Sequence, residues 1–198
     1  MLSFDPLAHR YSWDGQPVPG VTSILAPLMN LSRIAPDVLE TARQKGQAIH
    51  RTIELYCKDD LDESALPDWL QPVLDKWKRF VAEADFRLIE SEFRVYHPTF
   101  RYAGTLDLFG KVNGSPAFID IKRSFLAGDV TGLQLAAYHE AYCAQEKVGK
   151  SAKRFALRLS ETGPYRLQEF TDRNDFSIFM ALLAVKRWRE KHQPKEQA

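Results

Sequence analysis

Apolar residues recur every three or four positions from Pro36 to Val81, then alternate or run together from Phe86 to Lys122. The first period predicts two helices. One opens at Pro36, a good first-turn residue, and runs to about Lys58. The other opens at Pro67, with Leu70, Val73, Leu74, Trp77, Phe80 and Val81 at helical spacing, and an acidic loop at 59–65 separates the two. The second period predicts strands at 86–97, 103–112 and 116–123. Residues 128–132 read as a loop and 133–147 as an alanine-rich helix. Segments 154–160 and 165–170 alternate around Gly163-Pro164 as a strand pair, and 175–191 reads as a last helix. Upstream, His9–Trp13 alternates, Asp14-Gly15 turns, and Pro17 and Pro19 punctuate the return. Residues 1–30 therefore predict a short hairpin followed by a turn, an arm on a 31–192 domain, with 193–198 a disordered tail. This order predicts a mixed α/β protein, a central mixed sheet flanked by helices.

A chain of 198 residues suits one domain with a sizeable core, and 44% hydrophobic with 27% charged residues is ordinary globular composition. No apolar run approaches the ~20 residues that span a bilayer, so no membrane association is expected. The opening Met1-Leu-Ser-Phe-Asp lacks the basic and apolar regions of a secretory signal. Cys57 and Cys143 stand far apart without Cys-x-x-Cys spacing. That excludes a zinc ribbon or disulfide framework, predicts no iron–sulfur cluster, and points to a reducing, cytoplasmic compartment. The net charge of +1 hides an asymmetry. Residues 58–92 are mostly acidic, whereas Lys147, Lys150, Lys153, Arg154 and Arg158 form a run without an acid. Such a run is ordinary solvated surface unless a phosphodiester site lies beside it, in which case Lys147, Lys150, Lys153 and Arg154 become candidate nucleic-acid contacts.

Candidate chemistry concentrates in Gly104–Lys122. Asn113-Gly114 is a strong two-residue hairpin signal, because both residues tolerate positive φ. The register it sets places Asp107 opposite Asp120. Like charges facing across a strand pair destabilise a sheet unless something positive sits between them. Lys122, two residues past Asp120, emerges on the same face. The neighbours Leu106, Leu108, Phe118, Ile119 and Ile121 are apolar, so both carboxylates are buried and need partners. Two carboxylates and a lysine on one face describe a divalent-metal hydrolase site.

Gly104-Thr-Leu-Asp107 followed by Asp120-Ile-Lys122 resembles the PD-(D/E)XK nuclease superfamily, in particular its RecB-like, phage-type exonuclease branch. Gly46-Gln-Ala-Ile-His50 is similar to its upstream helix motif, Glu92 to its first-strand glutamate, Gln134-Leu-Ala-Ala-Tyr138 to its downstream motif, and Val18–Leu25 to its opening. The resemblance runs from about residue 9 to residue 190. It implies a restriction-endonuclease-like core. It also implies that His50, Glu92, Asp107, Asp120 and the Ile121 carbonyl hold Mg²⁺ or Mn²⁺, that Lys122 acts on water or developing charge, and that Gln134 and Tyr138 assist.

Other residues weigh into this picture individually. Glu90 and Glu92 share one strand face by the two-residue period, and the family spacing favours Glu92. Gly46 lies one turn before His50. Glycine in a helix interior costs roughly 1 kcal/mol relative to alanine, so it predicts close approach of another backbone. Gln134 and Tyr138, one turn apart, form either a buried polar pair lining the core or a pair that orients Lys122 or contacts the scissile strand. Gly149-Lys150-Ser151 lacks the upstream glycine of a phosphate-binding loop, and His139 with Cys143 lacks a second ligand pair for zinc.

The expected activity is hydrolysis of DNA, single- or double-stranded, to 5′-phosphate and 3′-hydroxyl ends. An exonuclease of phage-type recombination or repair is favoured, with a recombination or single-strand-binding protein as a conceivable partner. The alternatives are a non-catalytic nucleic-acid-binding module on the same fold and a restriction-type endonuclease.

Overall fold

The computed structural model describes residues 1–6, 8–29, 34–124, 130–146 and 151–192. The central sheet has five strands in the order β4 (Arg87–His97), β5 (Tyr102–Val112), β6 (Ser115–Lys122), β7 (Lys153–Arg158), β8 (Arg166–Glu169). All neighbours are antiparallel except β6 and β7, which are parallel. A parallel pair needs a crossover, and α4 (Val130–Glu146) lies between those two strands in the chain. This is the mixed α/β sheet flanked by helices that the sequence predicts. At the β5–β6 turn Asn113 and Gly114 adopt φ of 48° and 77°, and the ladder runs from Val112↔Ser115 to Leu108↔Ile119 in the predicted register.

Each face of the sheet has its own core. On one, Ile49 and Ile53 of α2 (Pro36–Cys57) and Trp77 and Phe80 of α3 (Gln71–Glu83) pack against Leu108, Ile119, Ile121 and Leu157. On the other, α4 and α5 (Asp175–His192) enclose Leu106 and Phe118 with Val21, Ile24 and Leu25 of α1 (Val21–Leu25). None of the described helices is long and apolar enough to cross a membrane.

Several boundaries differ from expectation for local reasons. The N-terminal unit is a three-stranded sheet, β1 (Leu2–Asp5), β2 (Arg10–Trp13) and β3 (Gln16–Val18), not a two-stranded hairpin. Leu2 and Phe4 alternate with Ser3 and Asp5, and this short strand signal adds β1 beside β2. α1 replaces the expected turn because Val21, Ile24 and Leu25 lie on one helical face, each at most 1% exposed. Pro67 opens only a turn, its carbonyl accepting from Leu70 N–H, and α3 begins at Gln71. α4 starts at Val130 and takes in Gly132, where a Cβ would lie 2.9 Å from Phe170 and 3.0 Å from Asp175. That glycine serves close packing rather than a loop. The proposed loop at 128–129 and tail at 193–198 lie outside the described residues.

Gly46 corrects its reading the other way: among the described residues a Cβ there would meet nothing within 4 Å. Two substitutions therefore have opposite expected effects. Gly46→Ala should stabilise the protein by about 1 kcal/mol through helix propensity alone. Gly114→Ala should destabilise it by about 1 kcal/mol, because alanine disfavours the left-handed region. Urea unfolding midpoints of the two variants check both.

Candidate metal centre

The strands β4 and β5 change face at one point. Leu106 belongs to the α4-side core and Leu108 to the α2-side core, although a regular strand puts residues two apart on one face. The break falls at Asp107. On β4 the recorded pairs Ser91↔Leu108 and Phe93↔Leu106 flank Glu92, whose φ is 50°. A left-handed glutamate within a strand is strained by roughly 1 kcal/mol or more. On the other side the β5–β6 ladder stops at Leu108↔Ile119, so Asp107 and Asp120 come next in register but outside the ladder. The Asp107 carboxylate takes over there, its Oδ2 accepting Ile121 N–H at 2.7 Å.

The left-handed turn also separates the two glutamates expected on one face. Glu90 lies in the field of Glu146 and Tyr142 of α4. Glu92 lies toward α2, in the field of Glu54 and Lys58 and 4.0 Å from His50 Nδ1. His50 Nδ1 is also 3.5 Å from Asp107 Oδ1, and its Nε2 is 3.0 Å from the Ile121 carbonyl oxygen. His50, Glu92 and Asp107 each offer one ligand atom, all within 4.8 Å of one another, so this group could hold a metal ion.

Asp120 is held differently. Its side chain is 2% exposed, with Lys122 Nζ 2.7 Å from Oδ2. That contact is a short ion pair at charge-assisted hydrogen-bond distance, and Lys122 is the partner that the buried Asp120 carboxylate has there. Lys122 Nζ also donates to Gln134 Oε1 at 3.1 Å, and Gln134 Nε2 donates to Tyr138 Oη at 3.0 Å. Both side chains are buried, and Gln134 links Tyr138 to Lys122. Gly104 makes room for Tyr138: a Cβ there would sit 2.4 Å from its Cε1.

Electrostatics follow from crowding three carboxylates around two cations. Burial opposes the imidazolium of His50, but Asp107 overrides it and raises the pKa to about 9. Burial, with Asp107 adding repulsion, raises Glu92 to about 7. Burial raises Asp120 to about 6, against the pull of Lys122. Burial also works against ionised Asp107, yet His50 and then Lys122 hold it below the usual range. Lys122 is pushed down by burial and, more strongly, up by Asp120 and Asp107. Among these groups Asp107 and Lys122 keep their charge most firmly.

The predicted residues thus divide. Those around Asp107 converge on the point where β5 and β6 part. Of the basic run, Lys147 and Lys150 lie outside the described residues, and Lys153 is 3.6 Å from Glu169. Arg154 corrects its expected role as a surface contact. Its guanidinium donates to Asp175 at 2.9 Å and to the Asp172 carbonyl at 2.7 Å, with only 11% of the side chain exposed. An arginine tying β7 to the start of α5 is not free for phosphate.

Sequence reasoning missed what surrounds the acids. A cleft of about 360 Å³ beside Glu92 and Asp107 is lined also by Phe4, His9, Tyr11, Thr22, Gln47 and Thr105. Tyr11 Oη and Thr105 Oγ1 are 2.9 Å apart across 94 residues, a contact with no local signal. The acidic loop, by contrast, lies against α3 through Glu63 and Lys78 and contributes nothing to the described lining.

No protein-family model matches the chain. No curated protein matches it either. Among solved structures it is similar to the crystal structure of LHK-Exo in complex with dAMP, at 14% identity and a TM-score of 0.31, over 88% of this chain and 92% of that one. A likeness this loose carries no argument about the present chain.

The shifted glutamate makes a pH prediction for the metal-free protein. Glu92 ionises near 7 in the fold against an ordinary 4.5, so the fold disfavours its charge, and stability falls as pH rises between those values. His50, raised to about 9 from 6.5, adds stability below 6.5 that is lost as pH climbs toward 9. In EDTA, Glu92→Gln should match wild type in Tm near pH 5 and exceed it by a few degrees near pH 7.5. Thermal melts across that range check it, and parallel curves would refute it.

Proposed function

We propose that this chain is a divalent-metal-dependent nuclease that acts on DNA from strand ends, with residues 31–192 carrying the chemistry. One observation carries this: Glu92, Asp107, Asp120 and Lys122 meet where two strands part, and the cleft of Glu92 and Asp107 opens beside them. A purely structural cluster would not gather three carboxylates around two cations, with burial and mutual repulsion holding Glu92 and Asp120 above their usual range. Hard oxygen donors in excess of local positive charge suit Mg²⁺ or Mn²⁺. Glu92, Asp107, Asp120 and the Ile121 carbonyl would hold the ion. His50 is a further donor, and its imidazole favours Mn²⁺. Such an ion, when bound, supplies Lewis-acid stabilisation and an acidified water.

The protein's own groups do the positioning. Asp120 and Gln134 fix Lys122 Nζ from two sides, so its charge is preorganised. Lys122 stabilises negative charge developing on the phosphate or steadies the attacking water. Tyr138, through Gln134, limits where that ammonium can move. Asp107 links the group to the backbone of Ile121, so the carboxylate and the lysine one residue further on move together.

Incubating Mn²⁺ with closed-circular, nicked and linear forms of one plasmid should degrade the linear form and spare the closed circle. Discrete bands from the closed circle would favour an endonuclease instead. Lys122→Met should lose roughly 10²–10³ in kcat yet retain the metal-induced rise in Tm. Asp107→Asn should lose both. Single-turnover kinetics and thermal melts with and without Mn²⁺ separate the two, and a Lys122→Met enzyme as fast as wild type would remove the lysine from the reaction.

A further inference from the structure

We propose that the cleft beside the carboxylates is a subsite for a single nucleotide at a strand end, with Phe4 and His9 of the N-terminal sheet stacking on its base. This rests on the nuclease reading and specifies its substrate as an unpaired terminal nucleotide. The cleft wall is built from two units. The central sheet contributes Glu92 and Asp107, and the N-terminal sheet contributes Phe4, His9 and Tyr11. The aromatic wall is held at a fixed distance from the acids. Tyr11 is 5% exposed, and its hydroxyl meets that of Thr105, two residues before Asp107. Trp13 stacks on Tyr96 of β4 with ring centroids 4.2 Å apart, and Gly20 bridges to Ala103. The N-terminal sheet is thereby fastened to both strands that carry the acids.

Phe4 and Tyr11 belong to the small core of the N-terminal sheet, and His9 extends that aromatic group into the cleft. Phe4 lies edge-on to His9 at 5.2 Å and tilted against Tyr11 at 4.6 Å. Arg94 of β4 lies over Phe4, 5.4 Å from the ring centroid, and brings positive charge to the same wall. His9 is exposed on the turn between β1 and β2 with φ of 48°, so core packing does not explain its place in the cleft. Aromatic side chains stack on any base, because every base has a π-face. Size then selects the ligand. A volume near 360 Å³ lies at the low end of small-molecule sites and leaves room for about one nucleotide, not for a duplex. A cleft of that size fits an unpaired nucleotide better than a base pair.

The test compares single-stranded oligonucleotides whose terminal residue is either normal or abasic. Release of the first unit is followed with Mn²⁺ for wild type, His9→Asn and Phe4→Leu. Asparagine tolerates the left-handed backbone at position 9, and leucine keeps the apolar bulk at position 4. Wild type should release the abasic unit roughly tenfold more slowly than the normal one. Both variants should release the normal unit at close to the abasic rate and so lose the discrimination. Their melting temperatures with Mn²⁺ should rise as in wild type. Cleavage without discrimination in wild type, or discrimination kept in both variants, would overturn the subsite while leaving the nuclease reading intact. Failure of wild type to cleave either oligonucleotide would overturn both.

Discussion

The bond from Ile121 N–H to Asp107 Oδ2 is the contact on which the candidate site depends. A sheet cannot leave a buried amide unpaired without a cost comparable to a lost hydrogen bond. Where β5 and β6 separate, a side-chain carboxylate replaces the ladder. That substitution lets the strands part without an orphaned amide and holds an ionised aspartate in the gap. Burial alone would neutralise Asp107, but His50 on one side and Lys122 on the other keep it charged. The opening between the strands and the charge within it thus have one origin.

The surrounding charges show how unevenly such a cluster is balanced. Lys122 is placed against Asp120, and His50 is placed between Asp107, Glu92 and the Ile121 carbonyl. Glu92 is left with the weakest compensation, consistent with its pKa being lifted to about 7. The same glutamate sits on the strained left-handed residue of β4. Strain and poor charge compensation at one residue are tolerated in native proteins mainly where a function uses them.

Much of this was legible in the sequence because its signals were local. Asn113-Gly114 set the β5–β6 register, and apolar periodicity placed α2, α3 and α5 within a few residues. The helical spacing of Gln134 and Tyr138 put both on the face that meets Lys122. What was not legible depended on contacts between distant segments or on departures from period. Glu90 and Glu92 were read as sharing a face, because nothing local announces a left-handed glutamate inside a strand. Arg154 read as a surface cation, because its partner Asp175 lies 21 residues later. The aromatic wall was invisible for the same reason: Phe4 and His9 acquire meaning only once Tyr11 meets Thr105.

The wide separation of these contacts also bears on how the molecule assembles. The β5–β6 hairpin closes through a two-residue turn and can form early, carrying Asp107, Asp120 and Lys122 together. His50 reaches Ile121 across 71 residues, and Tyr11 reaches Thr105 across 94. Closing such long loops costs more chain entropy than closing the hairpin, which favours a sequence in which α2 and the N-terminal sheet dock onto a hairpin already formed. A transition state of that kind would contain Asp107 and Asp120 but not the histidine or the aromatic wall. Any ligand that needs all of these elements would leave the folding rate nearly unchanged and act by retarding unfolding, so a bound protein would persist longer without forming faster.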